Sequence, residues 1–430
     1  MMLNSVEEAL AALRGLGSVE QMNERAEAGL APAVRPASNS HIHLPPNFSA
    51  FQSVPQAVEL AARQGVGAVG VSNYYDYDVY GEFVAEARKH GIFPLFGLEV
   101  ISLVDELVAA QVKVNDPNNP GRMYICGKGI TKFRPMSPRA AELIGQIRAC
   151  DDARMAEMTA LTAKVFAAHG VDTKLDAAAV IDRIVARHGC RREVVTIQER
   201  HIAQAFQERL FELVSEAGRA AKLNAIFGTP TKAGPTEAVK FQGEIRTHLM
   251  KAGRPAFVTE TFLKRPEAVE LILELGGIPC YPTLADGTSP ICEYEEPVER
   301  LIASLQADGV ACVEFIPIRN KPDVLSAYVK AIRAAGIVVA AGTEHNTLDV
   351  LALDPQCVKG LAVPEDLKDI FWEGTCVTAA HQFLNLHGRC GFVDGAGRPN
   401  PHYPTAGQRI AAFARLGAAV IETYYRSNRK

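Results

Sequence analysis

The sequence alternates short apolar segments with amphipathic helical stretches, and this alternation constrains the fold more than any other feature. Stretches such as PQAVELAARQG and PEAVELILELGG end in a glycine, which suits the C-terminal end of a helix. Apolar strands joined by helices are typical of parallel strands that are covered on both faces. We count seven such strands, which predicts an α/β fold with a closed or nearly closed barrel. They lie in NSHIHL (39–44) and in residues 68–75, 93–102, 123–130, 277–285, 309–318 and 336–346.

The alternation stops between residues 134 and 254, where the sequence is charged and helical in pattern and contains no convincing strand. A loop of this length without secondary structure would be unusual in a compact domain. We therefore predict a helical insertion that leaves the fourth strand at the site face and caps the C-terminal mouth of the barrel. The predicted organisation is an N-terminal helical extension (1–40), a barrel (41–133 and 255–350), the insertion (134–254) and a C-terminal extension (351–430).

Composition narrows the classes of function. The 430 residues carry a formal net charge of −4, so no overall positive field attracts nucleic acid or an anionic membrane. Nine cysteines without CxxC spacing indicate reduced thiols. The first residues lack the basic and apolar regions of a signal peptide, and no apolar run approaches the roughly 18 residues of a membrane span. We expect a cytoplasmic protein that binds neither nucleic acid nor membrane, and we leave homo-oligomer formation open.

The sharpest chemical signal is the pair His41 and His43. Residues two apart on a strand point to the same side, so both imidazoles enter one pocket. Imidazole nitrogens are preferred ligands of Zn²⁺ and Fe²⁺, and a carboxylate completes such a site. Glu99 and Glu344 each end an apolar segment, where an unpaired buried carboxylate would be costly. Because active sites of parallel barrels lie at the C-terminal ends of the strands, these four residues predict a divalent metal site.

Other polar residues at the ends of the apolar segments are candidates for catalysis. Tyr75 and Asp76 end the second segment, where the tyrosine either donates hydrogen bonds and protons or only fills volume. Lys128 and Arg319 are candidates for holding an anionic substrate, or else are surface cations. His345 would face away from the pocket on a regular strand, and a bend there would make it a ligand or a general acid.

The same residues carry a family resemblance. The order HxH, a strand ending in G-x-E, GGIPCYPTLA and a closing AGTEHN resembles the polymerase and histidinol phosphatase (PHP) family over residues 41–130 and 255–346. The segment ERHIA (199–203) is similar to the R-P-H-I-A segment of that family's nucleoside-phosphate and oligonucleotide phosphoesterase branch. The resemblance implies a distorted, TIM-like (β/α)7 barrel and metal-dependent phosphoester hydrolysis.

The sequence also departs from the family pattern at several ligand positions. The changes fall at Asn47-Phe48 (an aspartate in the family), Ser72-Asn73-Tyr74 (T-D-H), Tyr124 (a histidine), Pro282-Thr283-Leu284 (A-H-P) and Glu344-His345-Asn346 (D-x-H). By the resemblance, the ligands that remain are the set for one metal position: His41, His43, Glu99 and Glu344. We therefore predict one ion per chain, which could be Zn²⁺, Mn²⁺ or Fe²⁺.

These observations predict a metal-dependent hydrolase that acts on a small anionic substrate, a phosphoester or a related compound. Two alternatives stay open. One is a metal-dependent isomerase, epimerase or lyase for a sugar or sugar acid, because a single ion can also chelate vicinal oxygens while side chains move protons. The other is a catalytically silent binding protein. Because phosphoryl transfer benefits from paired ions, we expect slow hydrolysis of any phosphoester.

Overall fold

A sheet rolled into a nearly closed barrel forms the centre of the computed structural model, which describes residues 6–428. Its strands are β1 (Ala37–Ile42), β2 (Val66–Val71), β3 (Phe93–Leu103), β4 (Arg122–Lys128), β5 (Leu263–Lys264), β6 (Ile278–Thr283), β7 (Cys312–Phe315) and β8 (Val338–Ala341). Neighbours follow the order β1-β2-β3-β4-β6-β7-β8, and the short β5 pairs with β3. A parallel bridge between Ile42 and Glu344 brings the end of the last strand back to the first. The predicted α/β barrel of seven main strands is confirmed.

Helices cover the barrel and form the insertion. They are α1 (Val6–Arg14), α2 (Val19–Glu27), α3 (Val54–Arg63), α4 (Val79–Lys89), α5 (Asp105–Ala109), α6 (Pro138–Ala168), α7 (Ala177–His188), α8 (Glu199–Leu213), α9 (Glu216–Phe227), α10 (Ala238–Ile245), α11 (Arg265–Glu274), α12 (Val298–Ala307), α13 (Pro322–Ala334), α14 (Glu365–Leu386) and α15 (Ala406–Asn428). Helix α3 shows why they form. The Ser53 side chain caps its first turn, and Ala57, Val58 and Ala61 bury one face against the sheet.

Strand β4 runs antiparallel to both of its neighbours, whereas the other main strands are parallel. Lys128, its last residue, pairs with Gly97 of β3 and with Ile278, the first residue of β6. We call the end of the barrel at which the parallel strands finish its mouth. Lys128 therefore lies towards the opposite end, which we call the closed end, and Tyr124 lies towards the mouth. This corrects the expectation that Lys128 ends a strand at the site face. The apolar pattern that identifies a strand does not give its direction.

The chain consequently enters the insertion from the end of the barrel opposite the mouth. Helix α6 has 31 residues and spans roughly 46 Å. Its first half buries Leu143 and Ile147 in the core of the barrel. Its second half buries Met158 and Phe166 in a separate core shared with the other inserted helices. One long helix thus carries the insertion from the closed end to the mouth.

The two C-terminal helices cover the outer face of the barrel. Helix α14 lies so close to β8 that a Cβ on Gly374 would be 2.2 Å from the carbonyl oxygen of Val339. Helix α15 packs beside it, and the Tyr425 hydroxyl donates to the Gly67 carbonyl of β2 at 2.8 Å. The nine cysteines are free thiols. Across residues 6–428, the helices are too short or too polar to cross a membrane.

Candidate metal centre

Three potential metal ligands meet inside the mouth of the barrel. His41 and His43 lie two residues apart at the C-terminal end of β1, and Glu99 lies in the middle of β3. The Nε2 atoms of His41 and His43 are 3.3 Å apart. Oε2 of Glu99 lies 3.2 Å from Nε2 of His41 and 3.5 Å from Nε2 of His43. All three side chains are buried, so the structure brings together three of the four predicted ligands.

These separations suit a single metal ion. Ligand atoms bound about 2.1 Å from a tetrahedral ion lie about 3.4 Å from one another, and the three distances fall around that value. Two imidazoles and one carboxylate also form the protein ligand set of known catalytic zinc sites, which keep the fourth position for water or substrate. The donor set therefore fits one divalent ion with an open position.

Tyr74 fixes two of these ligands. Its hydroxyl donates to Oε1 of Glu99 at 2.5 Å, which leaves Oε2 facing the imidazoles. Its ring stacks on that of His43, with centroids 5.3 Å apart and planes within 1°. Burial and the neighbouring carboxylate raise the pKa of Tyr74, so it remains a phenol. Burial alone would raise the pKa of Glu99, but hydrogen bonds from His41 and His43 hold it below its usual range.

A buried carboxylate on β7 orients the remaining ligand. Oε2 of Glu314 lies 2.6 Å from Nδ1 of His41. Oε1 of Glu314 accepts hydrogen bonds from Nζ of Lys128 at 2.6 Å and from the hydroxyl of Ser40 at 2.5 Å. Burial would raise the pKa of Glu314, but Lys128 and His41 lower it to about 2. Burial alone would lower the pKa of His41, but the Glu314 carboxylate raises it above its usual value.

Lys128 lies inside the barrel and not at its mouth. Its ammonium group donates to Glu314 and to the carbonyl of Ser40, and the side chain is only 2% exposed. A second group of potential ligands, formed by His41, Cys126 and Glu314, contains this same carboxylate. Because the ammonium is bonded to Glu314, Lys128 is not available to hold a substrate.

The fourth predicted ligand, Glu344, is not part of this group of potential ligands. Its carboxylate forms a salt bridge with Arg319 and accepts a hydrogen bond from Asn346 at 2.7 Å. Its backbone, by contrast, closes the barrel, since its N–H donates to the carbonyl of His41 at 2.8 Å. The approach is so close that a Cβ on Gly342 would lie 2.4 Å from Cβ of His41. Arg319, which was predicted to bind an anion, is thus paired with Glu344, which was predicted to bind the metal.

The bend anticipated after β8 is present, but it does not bring His345 to the metal group. Glu344 and His345 have φ angles of 57° and 53°. Nδ1 of His345 lies 2.7 Å from the Thr343 hydroxyl, and Nε2 lies 3.1 Å from the carbonyl oxygen of Leu351. Burial lowers the pKa of His345. Both ring nitrogens are therefore engaged in contacts that hold the loop.

Tyr75 and Asp76 occupy different surroundings. Tyr75 lines a pocket beside Tyr74, and its buried hydroxyl has no hydrogen-bond partner among residues 6–428. Asp76 lines a neighbouring cleft, 3.6 Å from Arg148. Burial raises its pKa to about 6 against the opposing effect of nearby arginines, Arg148 first. Of these two candidates, only Tyr75 lies next to Tyr74, which contacts the potential metal ligands.

The pocket beside Tyr74 lies between the barrel mouth and the inserted helices. It has a volume of about 90 Å³. Tyr74, Tyr75 and Tyr124 line it from the barrel, and Asp151 of α6 and Arg200 of α8 line it from the insertion. Burial raises the pKa of Asp151 to about 7. The insertion therefore supplies charged groups to the space beside the potential metal ligands.

This pocket holds more cations than carboxylates. Its cationic lining residues are Arg122, Arg154, Arg200, Arg246 and Lys251. The carboxylates paired with them are Asp116, Glu199 and Glu260. Arg200 forms no salt bridge within the described part of the chain, and its nearest polar contact is Oδ1 of Asn346 at 3.5 Å. Burial and the neighbouring Arg246 lower the pKa of Arg200 to about 10. Arg200 belongs to the ERHIA segment (199–203) and was not among the predicted site residues.

Comparisons with known proteins bear on the fold. No family model and no curated protein matches the sequence. A crystal structure described as a metal-dependent phosphoesterase from Bifidobacterium adolescentis matches with a TM-score of 0.51 at 15% identity, over 79% of this chain and 96% of its own. An amidohydrolase from Chromobacterium violaceum, solved with sulfate and no metal, matches with a TM-score of 0.49 at 17% identity, over 75% of this chain and 93% of its own. The first likeness shows a shared fold.

Proposed function

We propose that this chain is a PHP-like, metal-dependent hydrolase that acts on a small anionic substrate, a phosphoester or a related compound. The observation that carries the proposal is the buried group of His41, His43 and Glu99, whose facing donor atoms are 3.2–3.5 Å apart. A fold shared with a protein described as a metal-dependent phosphoesterase supports it. When bound, a divalent ion supplies Lewis acidity and makes water nucleophilic near neutral pH.

The residues around the ligands would prepare the site for hydrolysis. Tyr74 holds Glu99 so that Oε2 faces the imidazoles. Helices α6 and α8 cover the mouth, and excluding water strengthens the electrostatic interactions beneath them. Arg200 supports binding of an anion, because a guanidinium without a carboxylate partner gains from one. This role replaces the one expected for Lys128 and Arg319, which are both paired with glutamates.

We propose one ion per chain. His41, His43 and Glu99 form one set of donors, and the other group of potential ligands uses Glu314, whose carboxylate is bonded to Lys128. Zn²⁺, Mn²⁺ and Fe²⁺ are all suited to imidazole and carboxylate ligands, so the donor set leaves the metal open.

A second candidate function is a metal-dependent isomerase, epimerase or lyase for a sugar or sugar acid. The observation that favours it is the pair Tyr75 and Asp151 in the pocket. The Tyr75 hydroxyl lacks a hydrogen-bond partner among the described residues, and burial raises the pKa of Asp151 to about 7. A carboxyl group with a pKa near neutrality is suited to transferring protons.

Elemental analysis of the purified protein tests the metal site. We expect about one divalent ion per wild-type chain and loss of that ion in His43→Ala, with the helical content unchanged, because the core of the barrel is built elsewhere. His402→Ala, which changes an exposed histidine, is the matched control and should keep the ion. Two or more ions per chain, or an unchanged metal content in His43→Ala, would contradict the proposed site.

A substrate panel separates the candidate reactions. Phosphoesters and sugar acids would be assayed with Zn²⁺, Mn²⁺ and Fe²⁺ in turn. Slow, metal-dependent hydrolysis supports the hydrolase, and conversion of a sugar acid without hydrolysis supports the second candidate. Turnover of a simple phosphomonoester at about 10 per second would contradict the single-ion argument. A metal-loaded protein that converts none of these compounds would favour a silent binding protein.

A further inference from the structure

A chain of buried hydrogen bonds crosses the interior of the barrel beneath the metal ligands. Lys128 and Ser40 donate to Oε1 of Glu314, and Oε2 of Glu314 contacts Nδ1 of His41. Lys128 is 2% exposed, His41 is 1% exposed and Glu314 is fully buried. These contacts end on one of the proposed metal ligands.

The chain joins strands that do not neighbour one another. His41 lies on β1, Lys128 on β4 and Glu314 on β7, and in the sheet order each pair of these strands is separated by at least one other strand. The contacts therefore run through the lumen of the barrel, not along its wall. The orientation of the His41 side chain on β1 is therefore fixed by Glu314 on the other side of the lumen, and not by β1 alone.

The two imidazoles differ in how they are held. Nδ1 of His41 contacts a carboxylate, whereas Nδ1 of His43 has no hydrogen-bond partner among residues 6–428. His43 is instead held by stacking on Tyr74. A carboxylate that accepts Nδ1–H fixes the tautomer and directs the lone pair of Nε2 outwards, as in metal sites where a carboxylate supports a histidine ligand.

Stability alone does not account for a buried ion pair at this place. Apolar side chains of similar volume commonly serve a buried position as well as a paired Lys and Glu, or better. The observation that connects the pair to the proposed metal site is the contact between Glu314 and His41.

We propose that Glu314 and Lys128 are positioning residues for metal binding. Glu314 holds His41 as the Nδ1–H tautomer with Nε2 directed at the ion, and Lys128 anchors Glu314 in that place. The inference rests on the proposed metal site and deepens it. Neither residue belongs to the group formed by His41, His43 and Glu99.

The test measures Zn²⁺ affinity in the full chain by competition with a chromophoric chelator. We expect Glu314→Gln to bind Zn²⁺ about 10- to 100-fold more weakly than the wild type. The double variant Lys128→Met/Glu314→Leu removes both charges, so it should fold and still lose affinity to at least the same degree. Glu295→Gln is the matched control, because Glu295 is also fully buried in this barrel but bonds Tyr281 and backbone N–H groups instead of a histidine.

A second readout needs no metal. Nitrogen-15 spectra of the metal-free protein, recorded at a pH at which the His41 imidazole is neutral, should show it as the Nδ1–H tautomer in the wild type and no longer held in that form in the double variant. A folded double variant with wild-type Zn²⁺ affinity would overturn the inference and leave the pair a purely structural role. If the double variant does not fold, Glu314→Gln decides by the same criterion. Failure of the wild type itself to bind Zn²⁺ would instead refute the proposed function, and this inference with it.

Discussion

The interior of the barrel and the pocket beneath the inserted helices both enclose charged side chains, but they balance charge differently. In the interior, Lys128 faces Glu314 one to one. In the pocket, five cations face three paired carboxylates and the carboxyl group of Asp151, and Arg200 has no ion pair within residues 6–428. A balanced pair is satisfied by the protein itself, whereas an excess of positive charge attracts anions. The difference separates side chains that hold the candidate metal ligands in place from side chains that are available to an anion.

Breaking the balanced pair should have the largest effect. Lys128→Met leaves the Glu314 carboxylate buried without its cation, so we expect the free energy of unfolding to fall by about 3–5 kcal/mol. Arg319→Met breaks a salt bridge whose arginine is 36% exposed, and it should cost less than about 1 kcal/mol. Urea denaturation of the two variants measures both effects. Equal losses of unfolding free energy in the two variants would show that the buried pair contributes no more to stability than the exposed one.

Removing the unpaired cation should have an intermediate effect on binding and almost none on stability. Arg200→Gln should weaken the binding of inorganic phosphate to the metal-free protein roughly 10- to 100-fold, because a charge-assisted hydrogen bond contributes about 1.5–3 kcal/mol. Arg183→Gln is the control, since Arg183 is already paired with Glu208 and Glu212 outside the pocket. Titration calorimetry makes the comparison. Equal phosphate binding by both variants would mean that the excess charge is not a binding site.

The smallest expected effect is a dependence of stability on pH that comes from the pocket. Burial raises the pKa of Asp151 to about 7 in the folded protein, from about 3.8 in the unfolded chain. The wild type should therefore lose stability as pH rises from about 4 to about 7, while the unfolded chain ionises first. Asp151→Asn removes this cost, so the variant should gain roughly 1 kcal/mol over the wild type by pH 8, once solvent in the pocket is allowed for. Parallel pH profiles for the two proteins would contradict the assignment.

The sequence predicts the strands of this barrel well, because each is a short apolar run with turn residues at its ends. It does not predict the direction of β4, since MYICGK has the same pattern whether the strand runs up or down. That one reversal moves Lys128 from the expected pocket to the interior. It also explains why the insertion leaves from the closed end although its helices lie over the mouth.

The site was predictable where residue type and strand position coincide, as in HxH and in the glutamate of FPLFGLE. Glu344 was expected to bind metal because it ends a strand, but two consecutive positive φ angles turn its carboxylate towards Arg319. Glu314 could have been predicted from the sequence, but it was not. It is a charged residue inside the apolar strand CVEF, and such a residue requires a buried partner, which the chain supplies in Lys128. Unpaired Arg200 can be recognised only from three-dimensional contacts.

Helix α6 has a mechanical consequence. It is continuous from its N-terminus, where Ser137 donates to Glu274 of α11, to the positions from which Asp151 and Arg154 reach the pocket. The two halves of α6 belong to two different hydrophobic cores. Unfolding of either core would therefore unwind part of the helix that the other core packs against. The cover and the barrel should therefore unfold in one cooperative transition. Because Asp151 and Arg154 lie near the middle of this helix, a tilt of α6 against the barrel would move the charged lining of the pocket and the inserted helices together.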